Sequence, residues 1–274
     1  GLGDVYKRQA WDSEGREWKF QKDVSIHGPD SEKCELVTPI LTYADMETLQ
    51  ELIRRLRRAG AKSDATRSCG VHIHIGAKGH TAQTLRNLAN IMASHETLLA
   101  SALNLDRNRM NRYCRTVSKD FLVELNRKKP KTMAALADTW YGSQNADYGR
   151  SAHYNESRYH MLNLHATFTK GTIEFRLFQF DAPSGGKQNG LHAGQLKSYI
   201  QLCLALSQLG ADEAPQPSDP ANHGVSQETA DNSGYQRTGA AALLSLFGLR
   251  DVFEFLVLHH FRVHFFHRKV LLVI

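Results

Sequence analysis

The sequence predicts an α+β fold: a curved, mostly antiparallel sheet, covered by helices on one side and open on a polar concave side. Three observations carry this. Several strand-period segments set one apolar parity against one parity of carboxylates, imidazoles, amides and guanidiniums. Two late strands follow each other across a short turn, the connection of an antiparallel pair rather than of a parallel crossover. Amphipathic helices between and after the strands supply the cover for the apolar side.

Taken in order, residues 17–26 place Trp18, Phe20, Val24 and Ile26 on one parity and Lys19, Gln21, Asp23 and Ser25 on the other. Residues 34–38 form a short strand carrying Glu35, stopped by Pro39. Over 44–59, Met46, Leu49, Leu52, Ile53 and Leu56 recur at helical spacing until Gly60. The arginines Arg54, Arg55, Arg57 and Arg58 read as a solvated face at the negative end of that helix. Residues 70–76 are a strand with Val71, Ile73 and Ile75 facing one way and His72 and His74 the other. Thr81 caps a long helix to about residue 105. Helical pieces at 121–126 and 133–137 follow the most basic stretch, which holds Arg107, Arg109, Arg112 and Arg115. Residues 161–166 and 172–180 read as strands around a hairpin-type turn at Thr169-Lys170-Gly171. They put Asn163, His165, Glu174 and Arg176 on the polar side. A helix over 191–209 closes this part.

Composition bounds the rest. The 274 residues are 41% hydrophobic and 23% charged, which excludes a wholly disordered chain. The surplus of positive charge, +6, is scattered, so it argues against a nucleic-acid partner and suits an anionic ligand. Cys34, Cys69, Cys114 and Cys203 form no CxxC pair and read as reduced thiols of a cytoplasmic protein. No stretch is long and apolar enough to make a membrane a partner. Residues 1–9 read as a non-native scar outside the fold, 10–210 as the catalytic domain, 211–239 as a flexible linker and 240–274 as a C-terminal helical segment.

Taken singly, His-x-His, Glu-x-Arg and an isolated glutamate are weak signals. On one sheet face they reinforce one another. Carboxylates with an imidazole suit Mg²⁺ bridging phosphates, and a neighbouring arginine suits a transferring phosphoryl group.

Cys34-Glu35-Leu36-Val37-Thr38-Pro39, Ser68-Cys69-Gly70-Val71-His72-Ile73-His74-Ile75-Gly76, Arg158-Tyr159, Asn163-Leu164 and Thr172-Ile173-Glu174-Phe175-Arg176 resemble the amidoligase family, with Trp18 and Asp23-Val24-Ser25 matching the motif upstream. That family belongs to the superfamily of glutamate–cysteine ligases and glutamine synthetases. The resemblance implies a glutamine synthetase catalytic-domain-like fold and an ATP-dependent carboxylate–amine ligase acting through an acyl phosphate. It further implies ATP and Mg²⁺ as cofactors and small-molecule or peptide carboxylates and amines as substrates. Glu35, Glu174 and His72 would be metal ligands. Arg176 and His72 would serve catalysis, and Asn163, Arg158, His74 and Asp23 would orient ATP or substrate. The family normally begins with a strand bearing a Glu-x-Glu pair, and nothing before Trp11 matches it. The chain is therefore expected to be truncated and poorly active. The tail around His259, His260, His264 and His267 is expected to form no site.

Two other readings stay open at this stage. A His-x-His metal-dependent hydrolase would need further ligands on parallel βα units. A phosphate- or RNA-binding module would use the basic residues 107–115 with Tyr113.

Overall fold

The computed structural model describes residues 7–142, 146–152, 154–182, 190–212 and 270–273. Its strands are β1 (Lys7–Trp11), β2 (Glu17–Gln21), β3 (Glu35–Val37), β4 (Val71–Gly76), β5 (Leu162–Asn163), β6 (Thr172–Phe178) and β7 (Val270–Val273). They make one seven-stranded sheet in the order β1-β2-β3-β7-β4-β6-β5, and each neighbouring pair is antiparallel. The fold is α+β, as the strand and helix patterns predict.

Helices α1 (Met46–Arg58), α2 (Ala82–Ala102) and α8 (Ala193–Asp212) carry the main apolar layer. Leu49 and Ile53 of α1, Leu85, Leu88 and Met92 of α2, and Leu196, Ile200 and Leu204 of α8 are buried in one core. The same core takes Val71, Ile73 and Ile75 of β4, Ile173, Phe175 and Leu177 of β6, and Leu272 of β7. Gly210 lets α8 approach α2 closely, because a Cβ there would fall 2.8 Å from Leu88 Cβ. Thr81 caps α2 as expected, its hydroxyl accepting from the Thr84 N–H. The remaining helices are α3 (Arg107–Arg112), α4 (Lys119–Lys128), α5 (Met133–Tyr141), α6 (Ala146–Ser151) and α7 (His165–Lys170).

Four expectations are corrected. The first long strand stops at Gln21, because the Asp23 side chain accepts from the Ser25 N–H and hydroxyl and folds the chain into a turn. The expected strand over 161–166 shortens to β5, and α7 replaces the hairpin turn. Leu164 already has helical φ/ψ, the Thr169 hydroxyl bonds the His165 carbonyl, and Gly171 ends the helix in the left-handed region at φ 68°. Lys7–Trp11 is an edge strand paired to β2, so part of the supposed scar belongs to the sheet. Val270–Val273, expected to be helical, is the strand between β3 and β4. The linker, most of the C-terminal segment, its histidines and the Gly185-Gly186 loop lie outside the described residues. Among the described residues no helix is long and apolar enough to cross a membrane.

Glu96 on α2 is buried, and both of its oxygens accept from the Val117 N–H at 2.9 and 3.0 Å. Burial lifts its pKa to about 7, against the pull of that N–H. A folded-state value above the ordinary 4.5 means that folding favours the protonated acid. This stability is fully present below 4.5 and lost as pH rises through about 7. Glu96→Gln should therefore gain on the wild type by up to roughly 3 kcal/mol between about pH 4.5 and pH 8 in urea unfolding. A difference that does not change with pH would remove this account.

Candidate active site

The alternation of β4 and β6 sends one set of side chains into the core and the other to the opposite face, where a cavity of about 790 Å³ opens. Asp23, Glu35, His72, His74, Arg158, Asn163, Glu174 and Arg176 all line it. Register explains the grouping on one side: His74 and Asn163 each lie opposite Glu174 on the flanking strands.

Glu174 is the hub. Its Oε1 accepts from Arg176 Nη1 at 2.6 Å and its Oε2 from Asn163 Nδ2 at 2.6 Å. His72 Nδ1 and His74 Nε2 stand off at 3.6 and 3.7 Å. Burial alone would raise the Glu174 pKa, but the Arg176 guanidinium beside it, helped by His74 and Arg158, holds it below the usual value. Burial lowers both histidines, with Arg176 and Arg109 adding to the effect at His72. His74 falls to about 4, so it is neutral at pH 7 and holds Thr172 Oγ1 at 2.9 Å through Nδ1. The pair therefore brings ring nitrogens to the cavity without adding charge.

Glu35 stands apart from Glu174. Between β3 and β6 lie β7 and β4, which puts the two backbones about 14 Å apart at the usual strand spacing. Leu271 of β7 lines the cavity between them. Glu35 accepts from Gln21 Nε2 at 2.6 Å, and burial raises its pKa. Arg158 acts electrostatically on Glu35, Glu174 and both histidines, and its guanidinium lies over the rings of Tyr154 and Tyr159. Asp23 stays on the cavity wall although it sits in a turn rather than a strand.

Lys170, Tyr113 and Arg109 also line the cavity, although the sequence offered Tyr113 and the basic residues 107–115 only as a phosphate- or RNA-binding stretch. Lys170 read as a turn residue, and Arg109 as one charge in a basic run. His165 reaches the cavity from the start of α7 and meets the Tyr141 hydroxyl at 2.6 Å. Burial keeps the cavity thiols Cys34 and Cys69 above the ordinary 9.0, so neither is an activated nucleophile.

Among the described residues, no group of three or more His, Cys, Asp or Glu converges on one cation position. The donor chemistry still suits a hard ion that shares its shell with phosphate oxygens. The Asn163 Oδ1 is buried with no hydrogen-bond partner, next to the Glu174 carboxylate, and Glu35 offers oxygen on the far side.

The fold is α+β, and one face of its sheet presents two separated carboxylates and several cationic side chains to a single cavity. A family model described as "Putative amidoligase enzyme" matches residues 4–207, and the chain belongs to that family. Membership supports an enzyme of ligase type. Neither the curated proteins nor the solved structures contain a match to this chain.

Proposed function

We propose that the protein is a cytoplasmic, ATP-dependent carboxylate–amine ligase with a curved, glutamine synthetase-like catalytic sheet. The observation that supports this best is the face itself: Glu35 on β3 and the Glu174–Arg176 pair on β6 line one cavity with Arg158, and neither cavity thiol among the described residues is activated. Phosphoryl transfer needs positioning and charge neutralisation more than covalent help from the protein, and this face supplies both.

A substrate carboxylate oxygen attacks the γ-phosphorus of ATP, the bond to the bridging oxygen breaks, and ADP leaves. The amine nitrogen then attacks the acyl carbon, the C–O bond to phosphate breaks, and phosphate and a proton depart. Arg176 faces the transferring group, and Arg158 and Lys170 hold the anionic substrates over the sheet. Glu35 on one side and Glu174 with Asn163 on the other would hold Mg²⁺, which when bound neutralises phosphate charge. Small-molecule or peptide acids and amines fill the remaining volume.

The other two readings find less support. Among the described residues the sheet is antiparallel, without the parallel βα units a His-x-His hydrolase would use. The basic stretch is exposed at Arg107, Arg112 and Arg115, but its cations do not all face solvent. Arg109 is buried, and Arg115 bonds the carbonyls of Tyr159 and Glu156.

The test supplies ATP, Mg²⁺ and hydroxylamine with a panel of carboxylic acids and measures hydroxamate, the trapped product of an acyl phosphate. Calorimetry should also show ATP binding that depends on Mg²⁺ and weakens at least about tenfold in Glu35→Gln, the scale at which metal-site partners act. Zinc retained through purification with hydrolase activity, or RNA binding with a steep salt slope, would replace this reading.

A further inference from the structure

Arg109 is a buried charge with no counter-charge among the described residues. Its side chain leaves α3 and is only 6% exposed. Its tip occupies the space next to Gly70, where any Cβ would collide with the guanidinium. Gly70 has the same parity as His72 and His74, so that space lies on the polar face, and both Gly70 and Arg109 line the cavity. Nη2 donates to the Arg176 carbonyl at 2.7 Å, close to where the β4–β6 register shifts. Nε is buried without a partner, and among the described residues no carboxylate forms an ion pair with this side chain. The groups that act on it electrostatically are Cys114, Arg176, Cys69 and Tyr113. The nearby carboxylate, Glu174, is already engaged by Arg176 and Asn163.

Of the two buried guanidiniums on this wall of the cavity, Arg176 is paired to a carboxylate and Arg109 is not. Leaving a buried cation uncompensated is costly, and a bound anion removes the cost. We infer that Arg109 and Arg176 form an oxyanion subsite, a paired fork that receives two oxygens of a phosphoryl or carboxylate group on the ligand. This deepens the ligase reading and rests on it for the ligand's identity. The anion chemistry follows from the two guanidiniums.

The test titrates the full chain with inorganic tripolyphosphate and, separately, with glutarate. At least one should bind the wild type, and Arg109→Met should weaken it about 10- to 100-fold, the range for a hydrogen bond to a charged group. A response to tripolyphosphate assigns the subsite to the nucleotide's phosphate chain, and a response to glutarate assigns it to the acid substrate. The urea midpoint of Arg109→Met should equal or exceed that of the wild type, because an uncompensated buried charge is gone. If the methionine variant does not fold, Arg109→Lys decides. It restores the charge without the fork, so its anion affinity should still fall. Unchanged affinity in whichever variant folds, or no binding of either anion to the wild type, overturns the subsite. Hydroxamate formation without anion binding would sink the subsite and leave the ligase reading standing. Anion binding lost in Arg109→Met, without any hydroxamate, would do the reverse.

Discussion

Removing residues 270–274 should abolish cooperative folding, although few residues are lost. β7 lies between β3 and β4, so without it β1, β2 and β3 lose their attachment to the rest of the sheet. On one edge the Thr38 N–H donates to the Leu272 carbonyl at 3.0 Å, and Leu41 and Val270 exchange both of their backbone bonds at 2.6 and 2.7 Å. On the other edge β7 pairs with β4 from His72 to Ile75. Opening those ladders would leave buried N–H and C=O groups unpaired on two strands and expose the core that Val270 and Leu272 close. A milder variant isolates the packing part. Leu272 is fully buried, so Leu272→Ala should cost about 2–5 kcal/mol. At about 2–4 °C per kcal/mol for a domain of this size, the melting temperature should drop by roughly 4–20 °C. A shortened chain that melts cooperatively at the wild-type temperature would show that β7 does not hold the sheet together.

That strand was the element least legible in the sequence. Residues 270–273, Val-Leu-Leu-Val, form a continuous apolar run, and such a run has neither helix nor strand period. Its strand character depends on the neighbours β3 and β4, which lie far away in sequence. The alternating strands were legible for the opposite reason. His72 and His74 stand against Val71, Ile73 and Ile75, and Glu174 and Arg176 against Ile173, Phe175 and Leu177. A strict period of two assigns a face without any tertiary information. It failed where a side chain captures the backbone, as Asp23 does in its turn, and where Gly171 ends a short helix that copies the spacing of a hairpin. Arg109 could not be found from spacing, because its partner is the missing side chain of Gly70. A glycine directly before an alternating strand, on the parity of the polar face, is the one signal that could have located it.

Glu174→Leu is expected to be the most damaging single substitution on the cavity face. Glu174 and Arg176 are almost completely buried, 3% and 4% exposed, and their contact of 2.6 Å is supplemented by the Asn163 amide. Removing the carboxylate leaves Arg176 without a counter-charge beside Arg109, and it strands the Asn163 donor. Breaking one side of such a pair costs about 3–5 kcal/mol, because the remaining charge keeps its desolvation penalty. Arg176→Leu should cost a similar amount, since Glu174 would keep only neutral partners within bonding distance. The double variant tests the mechanism. When both charges go, neither is left unpaired, so Glu174→Leu with Arg176→Leu should cost clearly less than the two singles added together. Urea unfolding of the four proteins gives the coupling directly. Additive penalties would mean that the two side chains act by packing and not as a charge pair. The double variant should also lose Mg²⁺-dependent ATP binding while regaining stability. That separation matters chemically: a buried ion pair contributes little net stability, so its place on the cavity wall fits the proposed binding role better than a structural one. With Arg109 beside it, the same pair sets a single negative charge against two positive ones, and the ligand completes the balance.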